Sequence, residues 1–140
     1  MDGRAAVART EPARLVVVDD LPYVREALAE LLRTAGYHVV AVASGPAALA
    51  ALEREAADLL LTDLYMPEMT GWDLVRAVRA RRLTSRSGLP ICVGLYSVVL
   101  SAFNREQLAR AEVDFAVTKL SDPEAVLDAV ERALAWAEVP

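Results

Sequence analysis

Asp58-Leu59-Leu60-Leu61-Thr62-Asp63-Leu64-Tyr65-Met66-Pro67-Glu68-Met69-Thr70-Gly71-Trp72 places one aspartate directly after a short apolar run. The run is apolar throughout and bounded by acidic residues, the pattern of a strand buried on both faces. Asp63 then sits at the carboxyl end of a strand over Asp58 to Thr62. Proline fixes its own φ and biases Met66 away from the helical region, so the exit is stiff. Gly71 permits a tight turn before the next helix. A second acidic site, Asp19-Asp20, follows another apolar run, Leu15-Val16-Val17-Val18. Two buried runs that both end in aspartate carry far more information than either alone.

The same alternation extends outward from these two runs. Residues 1 to 13 lack periodicity and read as a mobile tail. After the strand Leu15 to Val18, Pro22 opens a helix with Val24, Ala27, Leu28, Leu31, Leu32 and Ala35 on one face, closed by Gly36. Tyr37 to Ala43 is rich in β-branched residues and reads as an edge strand. His38 on it is expected to be a partly exposed residue rather than a ligand, since no carboxylate or second ligand flanks it. Pro46 to Glu55 is a short Ala-rich helix, and Gly71 to Arg82 a third, with Leu74, Val75 and Val78 inward. Ile91 to Tyr96 is the fourth strand, closed by Ser97. Asn104 and Gln107 form a capping pair for a helix to about Ala111. Val113 to Thr118 is the fifth strand and ends at Lys119. Ser121-Asp122-Pro123-Glu124 starts the last helix, which runs to about Ala137. Five strands alternating with five helices imply a parallel sheet covered on both faces. No G-x-G-x-x-G follows the first strand, so the flavodoxin-like order 2-1-3-4-5 is expected over the dinucleotide-binding order.

Composition narrows the function classes. The chain has 140 residues, 55% of them hydrophobic, enough for one domain with a full core. No apolar run reaches the roughly 20 residues of a membrane helix, and no signal core opens the chain, so a cytoplasmic location is expected. A net charge of −5 argues against nucleic-acid binding. The local run Arg76, Arg79, Arg81, Arg82 and Arg86 reads as a solvated helix end, with docking of an acidic partner as the alternative. Cys92 is a buried core thiol with no second cysteine to bond.

In sheets of this order the ligand sits at the carboxyl ends of the strands, between strands 1 and 3. Those ends carry Asp19, Asp20 and Asp63, with Ser97 and Lys119 ending strands 4 and 5. Three close carboxylates repel unless a cation or shared protons intervene. An all-oxygen set with room for water suits Mg²⁺. Lys119 would supply a compact positive charge and Ser97 a hydroxyl donor. One carboxylate could then attack phosphorus and form an acyl phosphate.

These residues together resemble a response-regulator receiver (CheY-like) domain over about residues 14 to 138. The resemblance implies a two-component phosphorelay module rather than an enzyme, apart from catalysis of its own phosphorylation and dephosphorylation. It implies that Asp63, heading D-x-x-M-P-x-x-x-G, accepts the phosphoryl group from a histidine kinase or a histidine phosphotransfer protein. Asp19, Asp20, Asp63 and the Tyr65 backbone carbonyl would hold Mg²⁺, and Lys119 matches the family lysine. The family hydroxyl residue maps to Ser97 counting back from Lys119, and to Leu95 counting forward from Pro90; the lysine count is the better constrained. Tyr65 stands where the family tunes autodephosphorylation.

The chain departs from the family in three places. Ala116 stands three residues before the lysine, where the family has its switch aromatic; Phe115 is adjacent but faces the other way. Leu120 replaces the proline after the lysine. A non-proline cis bond costs about 3 kcal/mol, so a trans bond is expected there. Val98 replaces a small residue. Val98, Val99, Leu100 and Phe103 form an apolar patch that, with Trp136 on the last helix, is either core packing or a homodimer or target surface. Two further functions stand beside the phosphoacceptor. One is a pseudo-receiver that binds partners without phosphorylation, the other a small phosphatase, for which the D-x-D arrangement and a cap domain are missing. With no output domain after Pro140, the chain reads as a single-domain regulator or a receiver cut from a larger protein.

Overall fold

Each apolar run forms a strand, and each strand is followed by a helix. A computed structural model describes residues 11–98 and 105–137. The elements are β1 (Arg14–Val18), α1 (Pro22–Thr34), β2 (His38–Val42), α2 (Gly45–Arg54), β3 (Leu59–Asp63), α3 (Gly71–Ala80), β4 (Cys92–Ser97), α4 (Arg105–Arg110), β5 (Phe115–Thr118) and α5 (Pro123–Ala137). The strands pair in parallel in the order β2-β1-β3-β4-β5. This is the flavodoxin-like order expected from the alternation. β1 and β3 are buried along their whole length, because helices cover both faces.

The sheet divides the core in two. Val16, Val18, Leu60, Val93 and Leu95 face α2 and α3. Leu15, Val17, Leu59, Leu61, Cys92 and Val117 face α1 and α5. His38 lies exposed on β2, an edge strand, as its flanks suggested. Cys92 is buried, and burial pushes its thiol up to about 12, so it packs as a small hydrophobe.

Three local expectations change. Gly71 opens α3, as expected, but its role there is not turn flexibility: a Cβ would lie 2.5 Å from the Asp63 carbonyl oxygen. Its value is close backbone approach, and its N–H donates to Leu64 O at 2.7 Å. The arginine run is not uniformly solvated. Arg79 is half-buried and donates to the Ile91 carbonyl at 2.7 Å, to the Glu112 carbonyl at 2.7 and 3.1 Å, and to Asp114 at 3.2 Å. Arg86 donates to Asp58 at 2.8 Å, Glu11 at 2.9 Å and Pro12 O at 2.9 Å. Both tie loops to strand ends at the amino-terminal rim of the sheet. Finally, β5 starts at Phe115, two residues later than expected; Asp114 before it is tied to Val93 by both its backbone N–H, at 2.8 Å, and its carboxylate, at 2.7 Å, and also accepts from Arg79. Asn104, the proposed cap of α4, and Val99, Leu100 and Phe103 of the apolar patch lie outside the described residues.

Candidate functional site

The parallel sheet brings the five carboxyl ends to one rim. Val18 pairs with Thr62 across β1 and β3, so Asp19 and Asp63 extend from adjacent strands at the same level. Asp63 in turn pairs with Tyr96 on β4, and Ser97 with Thr118 on β5. Asp19, Asp20 and Asp63 each offer an oxygen such that all three lie within 4.8 Å of one another. Asp19 is fully buried, Asp63 nearly so, and Asp20 half-buried.

Neither Asp19 nor Asp20 occupies the cap position of α1, which is Leu21, a residue whose side chain makes no capping bond. Asp19 Oδ1 accepts the Leu21 N–H at 2.9 Å, and its carbonyl accepts Arg25 at 2.9 Å. Its other oxygen takes the Lys119 ammonium at 2.6 Å. Lys119 Nζ also stands 3.3 Å from Asp63 Oδ1, which accepts the Leu64 N–H at 2.8 Å. Burial is the largest influence on Asp63 and raises its carboxyl above the ordinary range; Lys119 opposes this and Asp19 adds to it. For Lys119, burial pulls downward, but the bonds to Asp19 and Asp63 prevail and the ammonium ends above its usual value. Among the described residues, the three carboxylates are paired only with Lys119, which reaches Asp19 and Asp63, so the set is short of positive charge.

Ser97 is buried at the end of β4, and its carbonyl accepts the Lys119 backbone N–H at 2.9 Å. That bond fixes the two strand ends side by side. Leu95 sits one level lower, opposite Thr62, in the core facing α2 and α3. Ala116 packs on that same face, and Phe115 on the opposite one, its ring over Gly94. Tyr65 side chain and Leu120 project outward, 63% and 80% exposed, and no cis peptide occurs among the described residues. Sequence reading did not single out Tyr96, whose ring centroid lies 5.5 Å from Lys119 Nζ. The signal available was its place one residue before Ser97, which set it level with Asp63.

A family model described as the response regulator receiver domain matches residues 15–131. The chain belongs to the response regulator receiver family. Sensory transduction protein RegX3 of Mycolicibacterium smegmatis is 42% identical over 67 residues, covering 48% of this chain and 29% of that protein. Two-component response regulator ORR2 of Oryza sativa subsp. indica is 35% identical over 131 residues, covering 69% of this chain and 49% of that protein. The receiver thus spans less than half the length of these relatives. Among solved structures, chemotaxis protein CheY4 of Vibrio cholerae superposes with a TM-score of 0.78 at 26% identity, covering 87% of this chain and 98% of that one. As a receiver the chain is a two-component signalling module. Among the described residues, no helix is long and apolar enough to cross a membrane.

Proposed function

We propose that Asp63 is the phosphoacceptor of this receiver and that Asp19, Asp20, Asp63 and the Tyr65 carbonyl hold Mg²⁺. The observation that carries this is the convergence of three carboxylates within 4.8 Å on a buried rim, with Lys119 bonded between two of them. Three like charges behind one ammonium fit a hard divalent cation with oxygen ligands. When bound, that ion would neutralise charge and bind phosphoryl oxygens. Lys119 holds Asp63 in place and faces the incoming phosphoryl group with a compact charge. The Ser97 hydroxyl donates to a further phosphoryl oxygen.

The donor is a phosphohistidine of a kinase or phosphotransfer protein. An Asp63 oxygen attacks phosphorus, the P–N bond breaks, its electron pair returns to the imidazole, and an acyl phosphate remains. Self-catalysed loss is a second displacement at phosphorus: water attacks, the P–O bond to Asp63 breaks, its electron pair returns to the carboxylate, and inorganic phosphate leaves with the water's protons. Tyr65, exposed beside the site, slows this step by shielding the acyl phosphate. Leu21, Tyr23, Tyr65, Val98 and Leu120 ring the opening with exposed apolar surface, which suits the flank of a donor helix. A cytoplasmic location fits this chemistry.

Incubation with a small phosphodonor and Mg²⁺ tests the reading by intact mass and peptide mapping. One added phosphoryl group on Asp63, absent in Asp63→Asn, is the expected result. No uptake alongside intact metal binding would instead support a receiver that works by contact alone.

A further inference from the structure

The family's aromatic position on β5 is Ala116 here, yet an aromatic ring still stands at the site. It comes from β4. Tyr96 is directly opposite Asp63 in the ladder and one residue before Ser97. Its side chain leaves the sheet on the α1 and α5 face, the face that also carries Phe115. Phe115 fills the neighbouring place on this face, in the space that a side chain at Gly94 would take. Tyr96 and Lys119 share the wall of a groove of about 840 Å³ between α1 and the start of α5.

We propose that Tyr96 is a positioning residue for Lys119, its ring face holding the ammonium beside Asp63 and out of this groove. Three features of the site support this role. The lysine stem is flexible and its ammonium strongly hydrated, so a neighbouring groove offers it an alternative resting place. Asp19, at 2.6 Å, pulls the ammonium more closely than Asp63 does at 3.3 Å. A ring centroid 5.5 Å from Nζ lies within the roughly 6 Å over which a π-face attracts a cation. The ring is half-buried, where that attraction is less screened by water than at an exposed site. Burial also raises the Tyr96 phenol, with Lys119 opposing, so the ring stays neutral beside the ammonium. A leucine would fill the same space without the quadrupole, which separates packing from positioning.

The proposal rests on Asp63 being the phosphoacceptor, and the test keeps the two apart. Phosphoryl uptake from phosphoramidate with Mg²⁺ is timed for the unaltered chain, Tyr96→Phe, Tyr96→Leu, and each in a Lys119→Met background. Tyr96→Phe is expected within about twofold of the unaltered rate and Tyr96→Leu roughly three- to tenfold slower. In the Lys119→Met background Tyr96→Leu is expected to cost nothing further, because the residue it acts through is gone. Equal rates for Tyr96→Leu and the unaltered chain, or the same loss with Lys119 absent, would overturn the proposal. Should Tyr96→Leu not fold, Tyr96→Phe with increasing ring fluorination keeps the shape while weakening the π-face. A graded fall in rate then supports positioning and a flat series refutes it. If the unaltered chain takes up no phosphoryl group, both readings fall; if it does and the variants are unchanged, only this one falls.

Discussion

Asp63 carries a conflict that its neighbours only partly relieve. It is buried beside another buried carboxylate, and a single shared lysine offsets this incompletely, so its carboxyl sits above the ordinary range. A carboxyl raised in the folded state is a charge that destabilises the fold at pH values above that raised pKa. The penalty fades as pH falls from the folded value toward the ordinary 3.8, below which both states are neutral. Asp63→Asn, without divalent ions, is therefore expected to raise the melting temperature at neutral pH. The gain should shrink as the solution is acidified, and thermal melts across a pH series check both halves. Lys119 behaves in the opposite sense. Its raised pKa means its stabilising contribution is complete below about pH 10 and is lost only as pH rises through the folded value.

At the scale of elements, close backbone approach and buried ion pairs hold the site's frame. Gly71 presses α3 against the end of β3, with Asp63 O and Leu64 Cα where a Cβ would go. Backbone cannot yield as a side chain can, so Gly71→Ala is expected to cost about 1–3 kcal/mol and to slow phosphoryl uptake. Gly94→Ala meets the Phe115 ring instead. Its penalty should be largely relieved in the double variant with Phe115→Leu, a coupling that denaturant titrations of the four proteins measure. Arg79 and Arg76 give a second contrast. Arg79 is 14% exposed and joins α3 to β4 and to the segment before β5, while Arg76 is 77% exposed. Arg79→Leu removes the guanidinium from two carbonyls and leaves the Asp114 carboxylate with the Val93 N–H, and should cost about 1–3 kcal/mol. Arg76→Leu should change stability by less than about 0.5 kcal/mol in the same titrations.

For the whole molecule, the rim of charge and the sheet beneath it trade against each other. A cation that binds only the folded chain stabilises it by mass action, about 2.7 kcal/mol at a hundredfold excess over its dissociation constant. Mg²⁺ is expected to raise the melting temperature of the unaltered chain and to leave Asp19→Asn/Asp20→Asn nearly unmoved. Calorimetry with and without chelator reads this directly.

Much of this architecture was legible in the chain. Short, mainly apolar runs that lead to Asp19, Asp63, Ser97 and Lys119 fix strand positions, and alternation with amphipathic helices fixes a parallel sheet. The strand order follows from the crossover rules, and the polar rim from the fact that each run ends in a charged or hydroxyl residue. These are properties of local spacing, which the sequence states outright. The tertiary structure alone decided which side chains become neighbours across strands and helices. It set the Tyr96 ring against Lys119, turned Arg79 and Arg86 inward to carbonyls and carboxylates, and made Gly71 a contact with Asp63. Such neighbours are separated by tens of residues, and a period of two or of three to four residues says which face a side chain takes, not what waits there.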